Sequence, residues 1–155
     1  MKKLLILSLA FLIMLLSFVG CGGQKTVEFD PQAAADALLA SEAFSDILSP
    51  IQPAVAAMLY NVSAESIDTC SVCCSTGATA EEIALFRCVD EPSAAALKEA
   101  VEQHVQAQKD AYASYAPLEI PKLDNALLRS SGVYVVCVVA ADSDAAAAIL
   151  DQYIK

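Results

Sequence analysis

The sequence contains little of what nucleic-acid binding, phosphate binding or a histidine metal site requires. Its 155 residues include 9 Lys or Arg against 19 Asp or Glu, which gives a formal net charge of −10. Because nucleic-acid binding needs a basic patch that neutralises phosphates, this balance excludes nucleic acid as a partner. With one His, and with only two Gly after Gly23, the chain offers neither a histidine ligand set nor a glycine-rich phosphate cradle.

The apolar content excludes a disordered chain. Hydrophobic residues make up 57% of the sequence, and the length suits one domain. The whole-chain figures combine two regions of different charge. Residues 1–20 carry two Lys and no acid, whereas residues 21–155 carry seven basic and 19 acidic residues, a formal charge of −12. This second region is rich in Ala, which favours helices but adds little volume to a core.

The N-terminus has the pattern of an export signal. Lys2 and Lys3 precede Leu4–Val19, a 16-residue apolar run that is short for a spanning helix, which needs about 20 residues. Gly20 before Cys21 resembles the lipobox of bacterial lipoproteins, although Phe18 stands where Leu is usual. The alternatives are an uncleaved anchor or ordinary secretion, in which Cys21 would have no role.

The lipobox resemblance predicts how the chain is divided and where it is located. It implies that Cys21 receives a diacylglycerol on its sulfur and anchors the protein in the membrane. Residues 1–20 are then a signal peptide, residues 21–29 a lipidated cysteine with a flexible tether, and residues 30–155 a single domain. We therefore expect the domain on the outer face of the cytoplasmic membrane.

The periodicity of residues 30–155 predicts an α+β domain. Its form is a four-stranded antiparallel sheet made of two hairpins, with helices on one face, in the order ββαββα after one or two N-terminal helices. Val133–Val139 is apolar on both faces and is predicted to be a central strand. The predicted helices cover about 31–40, a short segment ending near Tyr60, about 92–115, and a last segment through Tyr153; the predicted strands cover Ile67–Ser75, Glu82–Asp90, Asn125–Arg129 and Val133–Ala140.

Several short segments resemble one known family. They are Met58–Val62, Ser75–Phe86, Gln108-Lys109, Tyr115–Pro117, Lys122-Leu123 and Gly132–Val136. In order and spacing they resemble the small bacterial lipoproteins of the domain of unknown function 4358 (DUF4358), over about residues 31–155. The resemblance implies a lipoprotein of a Gram-positive bacterium and supports the domain boundary. It implies no activity, cofactor or catalytic residue.

The chain departs from the pattern of that family in a cluster of cysteines. Cys70, Cys73 and Cys74 contain a C-x-x-C spacing, and Cys88 follows further along. A zinc site usually has four ligands, and this cluster with the single His does not supply a typical set. The five cysteines left after lipidation are an odd number, so they cannot all form disulfides. If residues 67–75 form a strand, Cys70 and Cys74 share one face and Cys73 lies on the other. We favour packing in the core, with a disulfide or a metal site as alternatives.

The remaining candidates indicate no catalytic site. His104 is predicted to be a surface or boundary residue of the long helix, because no nucleophile lies at a definable spacing from it. The acidic residues before helices, such as Asp90 and Asp142, fit helix capping and the helix dipole. Three tyrosines could line a ligand groove, but we favour the helix–sheet interface for them: Tyr112, Tyr115 and Tyr134.

These observations predict a non-enzymatic binding or interaction module without a cofactor. Cys21 would attach the module to the membrane, and its other partner is an unidentified protein or small molecule. The alternative is a thiol- or metal-binding envelope protein that uses the cluster of Cys70, Cys73, Cys74 and Cys88.

Overall fold

The structure is a computed structural model that describes residues 29–154, which form an α+β domain. The predicted signal peptide 1–20, Cys21 and the tether up to residue 28 lie outside the described residues. The helices are α1 (Pro31–Leu39), α2 (Pro53–Leu59), α3 (Glu91–Tyr115), α4 (Ile120–Asp124) and α5 (Ser143–Tyr153); the strands are β1 (Ser49–Pro50), β2 (Ile67–Cys74), β3 (Glu82–Cys88), β4 (Leu127–Ser131) and β5 (Tyr134–Val139).

Aspartate side chains begin three of the helices, as the sequence predicts. Asp30 accepts a hydrogen bond from the Gln32 N–H at 2.9 Å, with Pro31 at the first helical position of α1. Asp90 accepts from the Ser93 N–H at 2.8 Å at the start of α3, and Asp142 caps α5 in the same way. Each cap satisfies a backbone donor that has no partner within its helix.

The sheet is antiparallel and joins two hairpins. Its strand order is β1-β2-β3-β5-β4, so the predicted pairs β2–β3 and β4–β5 both form and meet where β3 pairs with β5. Ala84 lies opposite Cys137 in that central pair. The β4–β5 hairpin turns at Gly132, whose φ of +55° is a conformation that glycine adopts without strain.

The prediction of four strands is wrong, because the described part of the chain has five. The added strand β1 pairs Ser49 with Cys74 and Pro50 with Cys73. A two-residue strand containing Pro is possible only at a sheet edge, and it has no periodicity that a sequence can reveal. The helix α4 was also not predicted, and β4 begins two residues later than expected because α4 precedes it.

The prediction that helices cover one face is also wrong. On one face, α1 and α5 pack against a cluster that includes Ile83 and Leu85. On the other face, α2 and α3 pack against a cluster that includes Ala84 and Phe86. The reason is that β3 and β5 are almost completely buried and apolar on both sides, so each face needs a cover.

The long helix α3 holds one of these faces through a stripe of apolar side chains. Leu97 and Val101 are fully buried, whereas Tyr115, which was predicted at the helix–sheet interface, is 63% exposed. Within residues 29–154, no helix combines the length and apolar character needed to cross a membrane.

We expect Leu97→Ala to lower the free energy of unfolding by about 2–5 kcal/mol, because it opens a cavity beneath α3. The matched control is Leu118→Ala, since Leu118 is 88% exposed and its loss should change stability by less than about 0.5 kcal/mol. Urea unfolding followed by circular dichroism measures both. Equal effects of the two substitutions would contradict the packing of α3 described above.

Candidate functional site

An open groove of about 770 Å³ lies between the end of α2 and the first four turns of α3. The turn after α2 shapes one wall. Asn61 takes a left-handed conformation with φ of +53°, and the Val62 N–H donates to the Ala57 carbonyl at 3.0 Å, which closes the end of the helix. Six mostly apolar residues form much of the lining: Leu59, Val62, Pro92, Ala96, Ala100 and Ala107.

The floor of the groove is polar and centres on a buried carboxylate. Tyr60 and His104 line the groove, and both contact Glu82, which is 3% exposed. The Tyr60 hydroxyl donates to Glu82 Oε1, and His104 Nε2 lies 3.1 Å from Glu82 Oε2. The amide of Gln108, one turn after His104 on α3, donates to the same Oε2 at 3.1 Å. Glu82 therefore links β3, α2 and α3 through side chains.

The hydrogen bonds around Gln108 are incomplete. Its Nε2 also lies 2.8 Å from His104 Nε2, while its buried Oε1 has no hydrogen-bond partner. If the amide were turned over, Oε1 would lie beside His104 Nε2, and the NH₂ group would occupy the buried position that now holds Oε1. That NH₂ group would then have no acceptor there. Either orientation leaves one polar atom of Gln108 without a protein partner, which is uncommon for a buried group.

The groove has an acidic character. Glu99 lies on its rim, and none of the lining residues is Lys or Arg. Residues 29–154 contain five Lys or Arg against 18 Asp or Glu. None of those five cations belongs to the lining, and each forms an ion pair with a carboxylate: Arg87 with Asp68, Lys98 with Glu102, Lys109 with Asp124, Lys122 with Glu81 and Arg129 with Asp151.

A second buried carboxylate, Glu81, lies beside Glu82 in sequence and has different partners. It accepts hydrogen bonds from the backbone N–H groups of Ser45 and Asp46 at 2.9 and 3.0 Å, and from Lys122 Nζ at 2.8 Å. Burial alone would raise the pKa of Glu81, but the bonds from Lys122 and Ser45 outweigh it and hold that pKa below its usual value. In return, Glu81 and Glu119 raise the pKa of Lys122 despite its burial.

The Glu81 network is structural. Glu119 accepts from Lys122 at 2.9 Å and from the Ala80 N–H at 2.9 Å, so the strand start, α4 and the segment after α1 are tied together. The Tyr112 hydroxyl donates to the Thr79 carbonyl at 2.5 Å nearby. All of these bonds join parts of the domain to one another, and none of these side chains lines the groove.

The cysteines are divided between the two faces of the sheet. Cys73 packs under α1, while Cys70, Cys74, Cys88 and Cys137 belong to the cluster under α3, which is the arrangement predicted for the β2 residues. All five are free thiols, and no group of three or more His, Cys, Asp or Glu within residues 29–154 is arranged to hold a metal ion.

Burial lowers the nucleophilicity of these thiols. It raises the pKa of Cys74 and of Cys88 to about 11, and it also raises the pKa values of Cys70, Cys73 and Cys137. Because the thiolate is the form that reacts and binds metals, these positions favour packing over chemistry.

The tyrosines named from the sequence do not line the groove. Tyr112 and Tyr134 are buried, with Tyr134 against Phe29, and Tyr115 lies on the surface. His104 lies at the boundary of the core, as predicted, with 13% of its side chain exposed. Sequence reasoning missed Tyr60 and Glu82 as site residues. The available signal was a pair of acids, Glu81-Glu82, at the start of an otherwise apolar strand.

One family matches the chain. The family model described as Domain of unknown function (DUF4358) matches residues 48–140, which is more than half of the chain. The matched range contains the whole sheet from β1 to β5 and both walls of the groove, and it leaves out α1 and α5. No curated protein and no solved structure matches the chain.

We expect Glu81→Gln to destabilise the domain by about 1–3 kcal/mol at pH 7, since it weakens a buried charged hydrogen-bond network. A carboxylate whose pKa is lowered on folding stabilises above its unfolded pKa, about 4.3, and loses that contribution as the pH falls through its folded pKa. The wild type should therefore lose more stability than Glu81→Gln between pH 7 and pH 3.

Urea unfolding at pH 7, 5 and 3 measures this difference. The control is Glu42→Gln, because Glu42 is exposed in the segment after α1. An acid-induced loss in Glu81→Gln as large as that in the wild type would show that Glu81 is not its source.

We also expect the thiols of the β-sheet to react slowly in the folded protein. At pH 8, a pKa of about 11 gives Cys74 and Cys88 a thiolate fraction roughly a hundredfold below that of an unperturbed thiol. Iodoacetamide labelling with peptide mass spectrometry resolves each position, and the urea-unfolded protein is the control. Rapid labelling of the native protein, or protection by added Zn²⁺, would contradict the packing interpretation.

Proposed function

This chain belongs to the family of the domain of unknown function DUF4358, and we propose that it is a lipid-anchored extracytoplasmic binding protein. Its anchor is the diacylglycerol on Cys21, and its ligand site is the groove between α2 and α3. The protein is held on the outer face of the cytoplasmic membrane of a Gram-positive bacterium.

The proposed anchor rests on the N-terminal sequence. Lys2 and Lys3, the apolar run Leu4–Val19 and the Gly20-Cys21 junction are what an exported and lipidated chain requires. Phe29, the first described residue, packs against Tyr134 with ring centroids 4.8 Å apart, and it lies eight residues after Cys21. Eight extended residues span at most about 28 Å, which keeps the domain close to the membrane.

The observation that carries the proposed binding role is the polar floor of the groove. The groove volume of about 770 Å³ lies within the usual range for small-molecule sites. Its floor consists of Tyr60, which is 2% exposed, and His104, and both contact the buried Glu82. A few fixed polar groups beneath mostly apolar walls are the usual composition of a ligand pocket.

We propose binding in preference to catalysis because of the partners of His104. Its hydrogen-bond partners are Glu82, which could orient an imidazole, and Gln108, and no Ser, Thr or Cys side chain of the described residues is bonded to it as a nucleophile. The alternative of a thiol or metal module has less support, because Cys73 lies on the opposite face from Cys70, Cys74 and Cys88, and burial raises the pKa of each thiol.

We expect Cys21→Ala to release the protein from the membrane fraction when it is expressed in a Gram-positive host, because the substitution removes the sulfur that carries the lipid. The matched control is Cys70→Ala, which changes a cysteine within the folded domain and should leave the protein in the membrane fraction. Fractionation with immunoblotting measures both. Retention of Cys21→Ala in the membrane would refute the proposed anchor.

A further inference from the structure

We propose that the groove between α2 and α3 selects an organic cation, a protonated amine carried on an apolar body. The inference rests on the proposed binding function and assigns that site a class of ligand. It is carried by the charges that line the groove, by the partners that surround its floor and by the composition of its walls.

The charges at the groove have one sign. Glu99 stands on the rim, the Glu82 carboxylate lies directly behind Tyr60 and His104, and no Lys or Arg of residues 29–154 belongs to the lining. A cleft lined by one sign of charge concentrates the field, so it attracts cations and repels anions.

The one feature of the groove that would favour an anion is already neutralised. Pro92 and Ser93, in the first turn of α3, line its far end, and a helix N-terminus attracts negative charge. There, however, the Asp90 carboxylate already accepts from the Ser93 N–H at 2.8 Å, and Glu91 adds a second negative charge to the same turn.

The lining also offers groups that suit an ammonium. Asn61, Ser63 and Gln103 belong to it, and each carries a side-chain oxygen that can accept from an N–H donor. Tyr60, which is 2% exposed, and Gln108, which is outside the lining, lie behind this surface.

The walls indicate what the amine is attached to. Leu59, Val62, Ala96, Ala100 and Ala107 give the groove an apolar surface on both sides of the polar floor. The small alanine side chains of α3 leave width for a flat or branched hydrocarbon group. An apolar body would bury its surface against these walls while the charged end lies near Glu99 and His104.

The test compares three probes of equal shape and different charge. They are 2-phenylethylamine, which is a cation at pH 7, 2-phenylethanol, which is neutral, and 3-phenylpropanoate, which is an anion. Each is titrated against the full-length protein in nanodiscs of zwitterionic lipid, and binding is measured by saturation-transfer difference NMR. Empty nanodiscs give the background from lipid.

We expect saturable, protein-dependent transfer to the amine, with a Kd at least about fivefold below that of the alcohol, and no transfer to the anion above background. Glu99→Gln should raise the Kd of the amine about two- to fivefold. The matched control is Glu102→Gln, which removes the same charge from the same helix outside the groove and should leave the Kd unchanged.

The outcomes separate this inference from the proposed function. Binding of the alcohol or the anion as tightly as the amine would overturn cation selectivity and leave the groove as a binding site. Equal effects of Glu99→Gln and Glu102→Gln would place the amine outside the groove and overturn the inference. Failure of all three probes at millimolar concentration would overturn both the cation selectivity and the groove as the ligand site.

Discussion

The burial of two adjacent carboxylates, Glu81 just before β3 and Glu82 at its first residue, constrains which segments pack beside this end of the sheet. Neighbouring residues of a strand point to opposite faces, so Glu81 and Glu82 need separate sets of donors. Glu81 obtains them from the segment after α1 and from Lys122 of α4. Glu82 obtains them from Tyr60 at the end of α2 and from His104 and Gln108 of α3. Together the two carboxylates fix how four peripheral segments sit on the sheet.

The two carboxylates differ in what they contribute. Glu81 accepts hydrogen bonds from the charged Lys122 and from two backbone N–H groups, and its pKa is lowered. Its network therefore stabilises the fold near neutral pH. Glu82 has no Lys or Arg partner among the described residues, and the polar cluster around it leaves one atom of Gln108 unpaired. Well-packed apolar residues often serve stability as well as a buried ionic group does. We therefore relate the Glu82 cluster to the proposed binding role of the groove and not to stability alone.

Local patterns predicted much of the fold, and long-range contacts explain what they did not predict. Apolar periodicity predicted the long helix at about 92–115, and the aspartates before α3 and α5 marked where those helices begin. The same apolar character of Val133–Val139 that marked a central strand also required cover on both faces, a consequence that the prediction of one helical layer overlooked. Tyr60 and Glu82 meet across 22 residues of sequence, and no spacing rule connects them. The groove could therefore not be predicted before the helices had been placed on the sheet.

The most direct test of this account replaces the polar floor, together with Gln108 behind it, by apolar side chains of similar size, in the variant Tyr60→Phe/Glu82→Met/His104→Leu/Gln108→Met. If Glu82 and its partners serve binding, urea unfolding should give a free energy within about 1 kcal/mol of the wild-type value, or above it. In the same variant, saturation transfer to 2-phenylethylamine should fall to the level of empty nanodiscs. A loss of several kcal/mol in stability with amine binding intact would show that the cluster holds the fold together and is not the ligand site.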